Sequence, residues 1–256
     1  MSLENGLSDN QFGFRKGRST VHAIGLVVEK AGKAMAVESS GTEKDSCCTR
    51  RNRYPKCLQS ARWHIIIDSL ARKKVPSYIL RLIVNYMSDR WITYDTETWS
   101  MCEQMTCGAP QGSRIGPLLW NVMYDDFLRM ELPEDTSIVG FADDAIMVSA
   151  AASVEVLGIK VNDSLSRAKR WMECRGLQMV LDKTEALLVT DRRSYQNPAI
   201  EIDGYRLEWK RQITYLGVEL DRRLKFGAHI QRATLGAIKC AQACQDLCRT
   251  LEATSI

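Results

Sequence analysis

Two adjacent carboxylates, Asp143 and Asp144, sit between the apolar runs Val139-Gly140-Phe141 and Ala145-Ile146-Met147-Val148. Consecutive strand residues point to opposite faces, so the pair can serve one ligand only from a turn between two strands. Charge is costly to bury beside such neighbours, which leaves an exposed tip or a bound cation. A divalent ion bridging these carboxylates and phosphate oxygens would give the pair a chemical purpose. A solvated Asp-Asp turn is the plainer alternative. Upstream, Gly108-Ala109-Pro110-Gln111-Gly112-Ser113 precedes Gly116-Pro117-Leu118-Leu119, a glycine-flanked turn feeding a helix. Backbone there can approach a ligand closely, although a plain strand-to-helix turn reads the same way. Arg15, Lys16 and Arg18 form a short basic stretch that fits phosphate, or simply solvent.

The elements that must position these residues are legible from periodicity. Val21 to Met35 reads as a helix with Ile24, Val27 and Val28 apolar. Residues 37–59 show little periodicity, with four basic residues from Arg50 to Lys56, and order returns at Ala61. Trp63, Ile66, Ile67 and Leu70 fall at helical spacing, and a second helix from Pro76 carries Ile79, Leu82, Ile83 and Tyr86. Trp91 to Cys107 reads as a hairpin turning at Asp95 to Glu97. Ser113 can cap a helix running to about Met130, burying Leu118, Leu119, Val122 and Met123.

Strands over Ser137–Phe141 and Ala145–Ser149 flank the aspartates. A helix from Ser153 to about Cys174 turns Val156, Ile159, Leu165 and Trp171 inward. Strands near Ala186–Val189, Ile200–Ile202 and Ile213–Val218 follow, then a helix from His229 to Leu251. Hairpins interleaved with helices indicate an α+β fold rather than a doubly wound one.

Composition sets few limits. A chain of 256 residues with 45% hydrophobic and 26% charged residues can bury a core, and its net charge of +4 permits nucleic-acid binding without arguing for it. No apolar run is long enough for a bilayer, and the N-terminus lacks the apolar stretch of a signal peptide. The nine cysteines are odd in number and lack Cys-x-x-Cys spacing, which points to reduced, buried thiols and an intracellular setting. Cys240, Cys244 and Cys248 share a helical face, with zinc as the weaker reading.

Five motifs in order carry a resemblance. They are Gln11-Phe12-Gly13-Phe14-Arg15-Lys16-Gly17-Arg18-Ser19-Thr20, Ala109-Pro110-Gln111-Gly112-Ser113, Phe141-Ala142-Asp143-Asp144, Lys183-Thr184-Glu185 and Tyr215-Leu216-Gly217-Val218. Together they resemble the reverse transcriptase domain of non-LTR (LINE-like) retrotransposons, particularly those of insects, over nearly the whole chain. The resemblance implies a right-hand polymerase whose palm is a ferredoxin-like antiparallel sheet with helices on one face.

It also implies partial fingers over 1–48, palm over 49–224 and the start of a thumb or connector over 225–256, truncated from a larger polyprotein. The implied chemistry is RNA-templated DNA synthesis from a DNA primer and dNTPs with two Mg²⁺ (or Mn²⁺) ions, in the cytoplasm or nucleus. By that resemblance Asp143 and Asp144 hold metal, and Lys183 protonates the leaving pyrophosphate. Arg15, Lys16, Arg18, Gln111, Gly112 and Ser113 meet substrate and template, and Tyr215, Leu216 and Gly217 grip the primer.

One motif is missing. The family carries a further metal-binding aspartate in a segment ending Ala-Phe-Asn or Ala-Phe-Asp before Ser60-Ala61-Arg62-Trp63. Here Arg53 occupies the aspartate's place, and Leu58 that of an aromatic which excludes a ribose 2′-hydroxyl. Read one base forward, codons for Lys56-Cys57-Leu58-Gln59 can spell Asn-Ala-Phe-Asn, and the run from Arg51 can spell Val-Thr-Asp-Ile-Arg before it. Residues 49–59 therefore read as a local frameshift, opened between about Ser46 and Arg51 and closed near Ser60. A genuine insertion with Asp45 or Asp68 as substitute ligand is the rival. An impaired polymerase, a catalytically dead relic, a cyclase on the same palm and a pure RNA-binding module are the competing readings. The cyclase needs neither the Ala109–Ser113 loop nor the Tyr215 strand.

Overall fold

The computed structural model describes residues 6–35, 45–51, 60–96, 98–109 and 112–253. At its centre is a five-stranded sheet of β4 (Thr136–Phe141), β5 (Asp144–Ala151), β1 (Asp45–Arg51), β6 (Thr184–Val189) and β9 (Trp209–Lys210), in that order. β1 runs antiparallel to both β5 and β6, and β9 joins in parallel. Every residue of β5 is buried, as the apolar run around the aspartates requires.

β1 corrects the sequence reading, which placed only irregular chain there. Cys47, Cys48 and Thr49 are buried at the middle of the sheet. Thr49 is the one β-branched residue of Asp45–Arg51, and Cys-Cys-Thr forms neither an apolar run nor an alternating pattern that would mark a strand. Burial pushes the Cys48 thiol up to about 12 and raises Cys47 as well, so both stay protonated. The buried-thiol expectation fails elsewhere, because Cys102, Cys174, Cys240 and Cys244 are exposed.

The alternation of the strands gives the sheet two apolar faces, and both are covered. Ile138, Ala145 and Met147 pack under α4 (Gly116–Leu128) and α5 (Val154–Glu173), which also meet α2 (Trp63–Arg72) and α3 (Ser77–Met87). Val139, Ile146, Val148 and Leu187 point the other way, onto α1 (Thr20–Met35) and the hairpin β10 (Gln212–Tyr215)–β11 (Val218–Asp221). α4 is buried on nearly every side, so only Leu118 of its four expected inward residues is exposed.

Two helices present other faces than periodicity suggested. α5 buries Leu157, Val161, Leu165, Ala168 and Met172, leaving Val156 and Ile159 exposed. α3 buries Met87 and leaves Leu82 and Tyr86 exposed, and it adjoins the exposed hairpin β2 (Trp91–Asp95)–β3 (Ser100–Gln104). A small hairpin, β7 (Glu201–Ile202) and β8 (Tyr205–Arg206), packs near the end of the sheet, and α6 (Gly227–Ala253) closes the described chain. Among the described residues no helix is long and apolar enough to cross a membrane.

A buried ionic knot ties the N-terminal segment to this core. Asp125 accepts from Lys73 Nζ (2.6 Å), Arg129 Nε (2.7 Å) and the Ser8 backbone N–H (2.5 Å). Burial pushes the Asp125 carboxyl up, but hydrogen bonds from Lys73, Ser8 and Arg129 outweigh it and hold the carboxyl below its ordinary value.

Candidate active site

β4 and β5 are joined by a two-residue turn, Ala142-Asp143, closed by the pair Phe141–Asp144. Ala142 takes a left-handed φ of 58°, unusual for a residue with a Cβ. Such a conformation persists only where neighbours over-determine it. Here the Ala142 N–H donates to Gln11 Oε1 (3.3 Å), and its carbonyl accepts from Trp120 Nε1 (3.0 Å). Asp143 is half-buried at the tip and Asp144 is buried behind it.

The N-terminal segment forms the other jaw. Gln11 bridges to Gly140 in parallel, with Phe12 N–H on the Gly140 carbonyl (2.9 Å) and Gly140 N–H on the Asn10 carbonyl (2.8 Å). A Cβ on Gly13 would lie 2.1 Å from the Ala142 nitrogen, so only glycine fits. Asn121 Nδ2 fixes the Gly13 carbonyl at 2.9 Å. Gln11, Gly13, Trp120 and Asn121 are thus the supports that sequence reasoning did not single out. Gln11 and Gly13 lay inside a recognised motif, but nothing in it says that they face the Asp143 turn.

The basic residues beside them are partly occupied. Arg15 donates to the carbonyls of Ser8 (2.6 Å) and Gln11 (3.2 Å). Arg18 pairs with Asp9 at 2.7 Å and lies over the Phe12 ring at 5.0 Å. Lys16 is exposed.

Two other strand ends share the edge that carries the turn. The β1 register sets Arg51 opposite both Ala145 and Thr184, so Lys183, exposed just before β6, starts about 10 Å across the sheet from Ala145. The same register puts Asp45 opposite Ala151, about 20 Å along the strand from the turn, and removes it as a substitute ligand. Asp68 is exposed on α2. Arg53 and Leu58 lie outside the described residues.

The remaining candidates line other parts. Gln111 lies outside the described residues; Gly112 has a left-handed φ of 79° and is exposed. Ser113 Oγ accepts the Gly116 N–H (2.9 Å), although Ile115 rather than Ser113 stands at the N-cap of α4, and the loop is anchored where Trp63 Nε1 donates to the Gly108 carbonyl (2.9 Å). Leu216 and Gly217 form the β10–β11 turn with φ of 48° and 85°, as a type I′ hairpin requires. Tyr215 is fully buried, its hydroxyl on the Val139 carbonyl at 3.4 Å, so it ties this hairpin to β4.

In donor chemistry, Asp143 and Asp144 suit a hard divalent cation. No group of three or more His, Cys, Asp or Glu side chains is gathered among the described residues.

A family model described as reverse transcriptase (RNA-dependent DNA polymerase) matches residues 1–220. The chain is 28% identical over 248 residues to a probable RNA-directed DNA polymerase from transposon BS of Drosophila melanogaster, covering 94% of this chain and 26% of that protein. It is 23% identical over 227 residues to the RNA-directed DNA polymerase from mobile element jockey of the same fly, covering 86% and 24%. The chain thus spans about a quarter of these relatives. Among solved structures, telomerase from Candida albicans, in complex with a fragment of telomeric RNA, superposes with a TM-score of 0.55 at 11% identity. That match covers 83% of this chain and 34% of the telomerase chain, and shows a shared fold.

Proposed function

The chain belongs to the reverse transcriptase (RNA-dependent DNA polymerase) family, and from that premise we propose that it is the polymerising centre of an insect-type non-LTR retrotransposon, impaired by loss of one catalytic carboxylate. The observation that carries this reading is the clamped Ala142-Asp143 turn, set on the same sheet edge as the ends of β1 and β6.

In this reading Asp143 and Asp144 hold Mg²⁺ or Mn²⁺. A divalent ion held there supplies neutralising charge to a triphosphate and acidity to a primer hydroxyl, the full reaction needing two such ions. The chain's own residues supply placement. Lys183 stands where an ammonium can give a proton to departing pyrophosphate. Arg15, Lys16 and Arg18 present positive charge beside the turn, and Gly112 and Ser113, with Gln111, shape the floor for dNTP and RNA template. The Leu216-Gly217 turn, seated by buried Tyr215, offers backbone to a DNA primer strand. Work of this kind is positioning and charge stabilisation. Its setting is inside the cell.

Arg53 lies two positions in sequence after Arg51, the last residue of β1. A guanidinium there cannot be neutralised by deprotonation and repels the cations that the family's aspartate attracts. The second reading, a catalytically dead relic with salt-sensitive nucleic-acid binding, rests on the same substitution.

Primer extension on an RNA template tests both. The chain as it stands is expected to extend near background. Arg53→Asp with the other residues of 51–59 restored to the shifted frame is expected to extend at least ~100-fold faster. Equal rates would refute the impairment, and extension surviving Asp143→Asn in the restored chain would refute the site. Sequencing the gene from Lys44 to Trp63 asks separately whether the shifted frame spells the missing motif.

A further inference from the structure

At the end of the sheet away from the Asp143 turn, β6 stops at Val189, and Thr190 N–H donates to the Arg222 carbonyl (3.1 Å). That crossing folds the segment after β6 against β9 and the end of β11. Between them opens a cleft of about 380 Å³, lined by Tyr195, Asn197, Trp209, Lys210, Arg211 and Arg222 among others. None of the family motifs lies in it: Lys210 pairs with Leu187, about 10 Å along β6 from Thr184, and β9 lies three strands across the sheet from β5.

The walls are built and the charge is one-sided. The Arg222 guanidinium stacks over the Tyr195 ring at 4.6 Å and donates to the Arg192 carbonyl (2.9 Å). Trp209 Nε1 donates to the Pro198 carbonyl (2.8 Å), which fixes the opposite wall. The three segments carry Arg192, Arg193, Lys210, Arg211, Arg222 and Arg223 against Asp191, Glu208 and Asp221, the last of which accepts backbone N–H groups of Arg223 and Phe226. Lys210 meets Glu208 (3.1 Å) and Arg223 meets Asp191 (3.8 Å) only in exposed pairs, which hold weakly. Lys210 and Arg211 are exposed at the cleft, and Tyr195 is 42% exposed.

We propose that this cleft binds single-stranded nucleic acid, with a phosphodiester on Lys210 and Arg211 and a base stacked on the Arg222–Tyr195 pair. Cations reading phosphate beside an aromatic–guanidinium platform are what a single strand needs, and the volume suits a nucleotide-sized group rather than a duplex. The contact is separate from the polymerising centre and does not depend on catalysis. The strand can be RNA or DNA, since phosphate and a base face are common to both.

The test is fluorescence anisotropy with labelled 12-nucleotide oligouridine and oligothymidine across a salt series. Lys210→Glu with Arg211→Glu is expected to weaken binding at least ~10-fold and flatten the logarithmic salt slope by about 1.4, the value for two single-strand phosphates. Tyr195→Ala is expected to weaken it at least ~5-fold with the slope unchanged. The same charge change placed elsewhere, Arg170→Glu with Lys239→Glu, is the control, and thermal melts confirm that each variant is folded. A loss with either oligonucleotide, beyond the control, supports the cleft and identifies the strand. Unchanged affinity for both, or an equal loss in the control, overturns it.

Discussion

The side chain of Gln11 holds the backbone of Ala142: one amide oxygen accepts the Ala142 N–H at 3.3 Å and the Gly13 N–H at 3.0 Å. Gln11 is buried, so its removal strands two donors away from water. Gln11→Leu should destabilise the fold by ~2–4 kcal/mol, at ~1–3 per unsatisfied group. Gly13→Ala should cost at least as much, because its Cβ meets backbone that cannot swing aside. Urea denaturation checks both, and a loss under ~0.5 kcal/mol for either would show that the clamp is slack.

Ala142 is expected to respond in opposite directions to two substitutions. Its φ of 58° suits glycine, the residue that a hairpin turn of this kind prefers at its first central position. Ala142→Gly should leave stability unchanged or raise it by up to ~1 kcal/mol, whereas Ala142→Val should lower it by more than ~1 kcal/mol. Parallel thermal melts decide the order.

The Asp125 knot predicts a specific acid response. Its folded carboxyl is held below the unfolded value of ~3.9, so the unfolded chain binds the extra proton first. The stabilisation is full above that value and is lost as pH falls through the folded one. Asp125→Asn should therefore show a shallower loss of stability below about pH 4 than the parent. At neutral pH, Asp125→Ala leaves Lys73 buried without its partner and should cost ~3–5 kcal/mol. Urea melts at pH 3 to 7 test both parts.

Thiol labelling separates the cysteines. Cys102, Cys174, Cys240 and Cys244 are exposed and should react with a disulfide reagent in the folded state. Cys47 and Cys48, buried and held as thiols, should react only when the chain opens. Mass mapping of labelled peptides at pH 8 reads this directly, and early labelling of Cys48 would contradict β1's place at the centre of the sheet.

What the sequence makes legible follows from how local the signal is. The strands beside Asp143 and Asp144 are continuous apolar runs, and α1 and α5 carry caps or clear periodicity, so their existence is readable within about a residue or two. β1 is not, because Cys47-Cys48-Thr49 lacks the large apolar run of its flanked neighbours β5 and β6 and has no periodic mark. Faces are misread where a partner decides them. Leu82 and Ile159 sit at helical spacing with inward neighbours, yet among the described residues no element covers them. The supports of the Asp143 turn are long-range, and no local pattern says that Gln11 and Trp120 meet at Ala142.

The Gln11–Ala142 bond joins residues 131 positions apart. During synthesis, residues 6–14 emerge long before anything they can clasp, and the turn cannot take its held form until the chain through β5 is made. Loop closure over such a span is slow compared with hairpin formation. The acidic tip therefore takes its held form only once all of the chain from Gln11 to β5 exists, and a nascent chain stalled before Ala151 carries both aspartates without the geometry to use them.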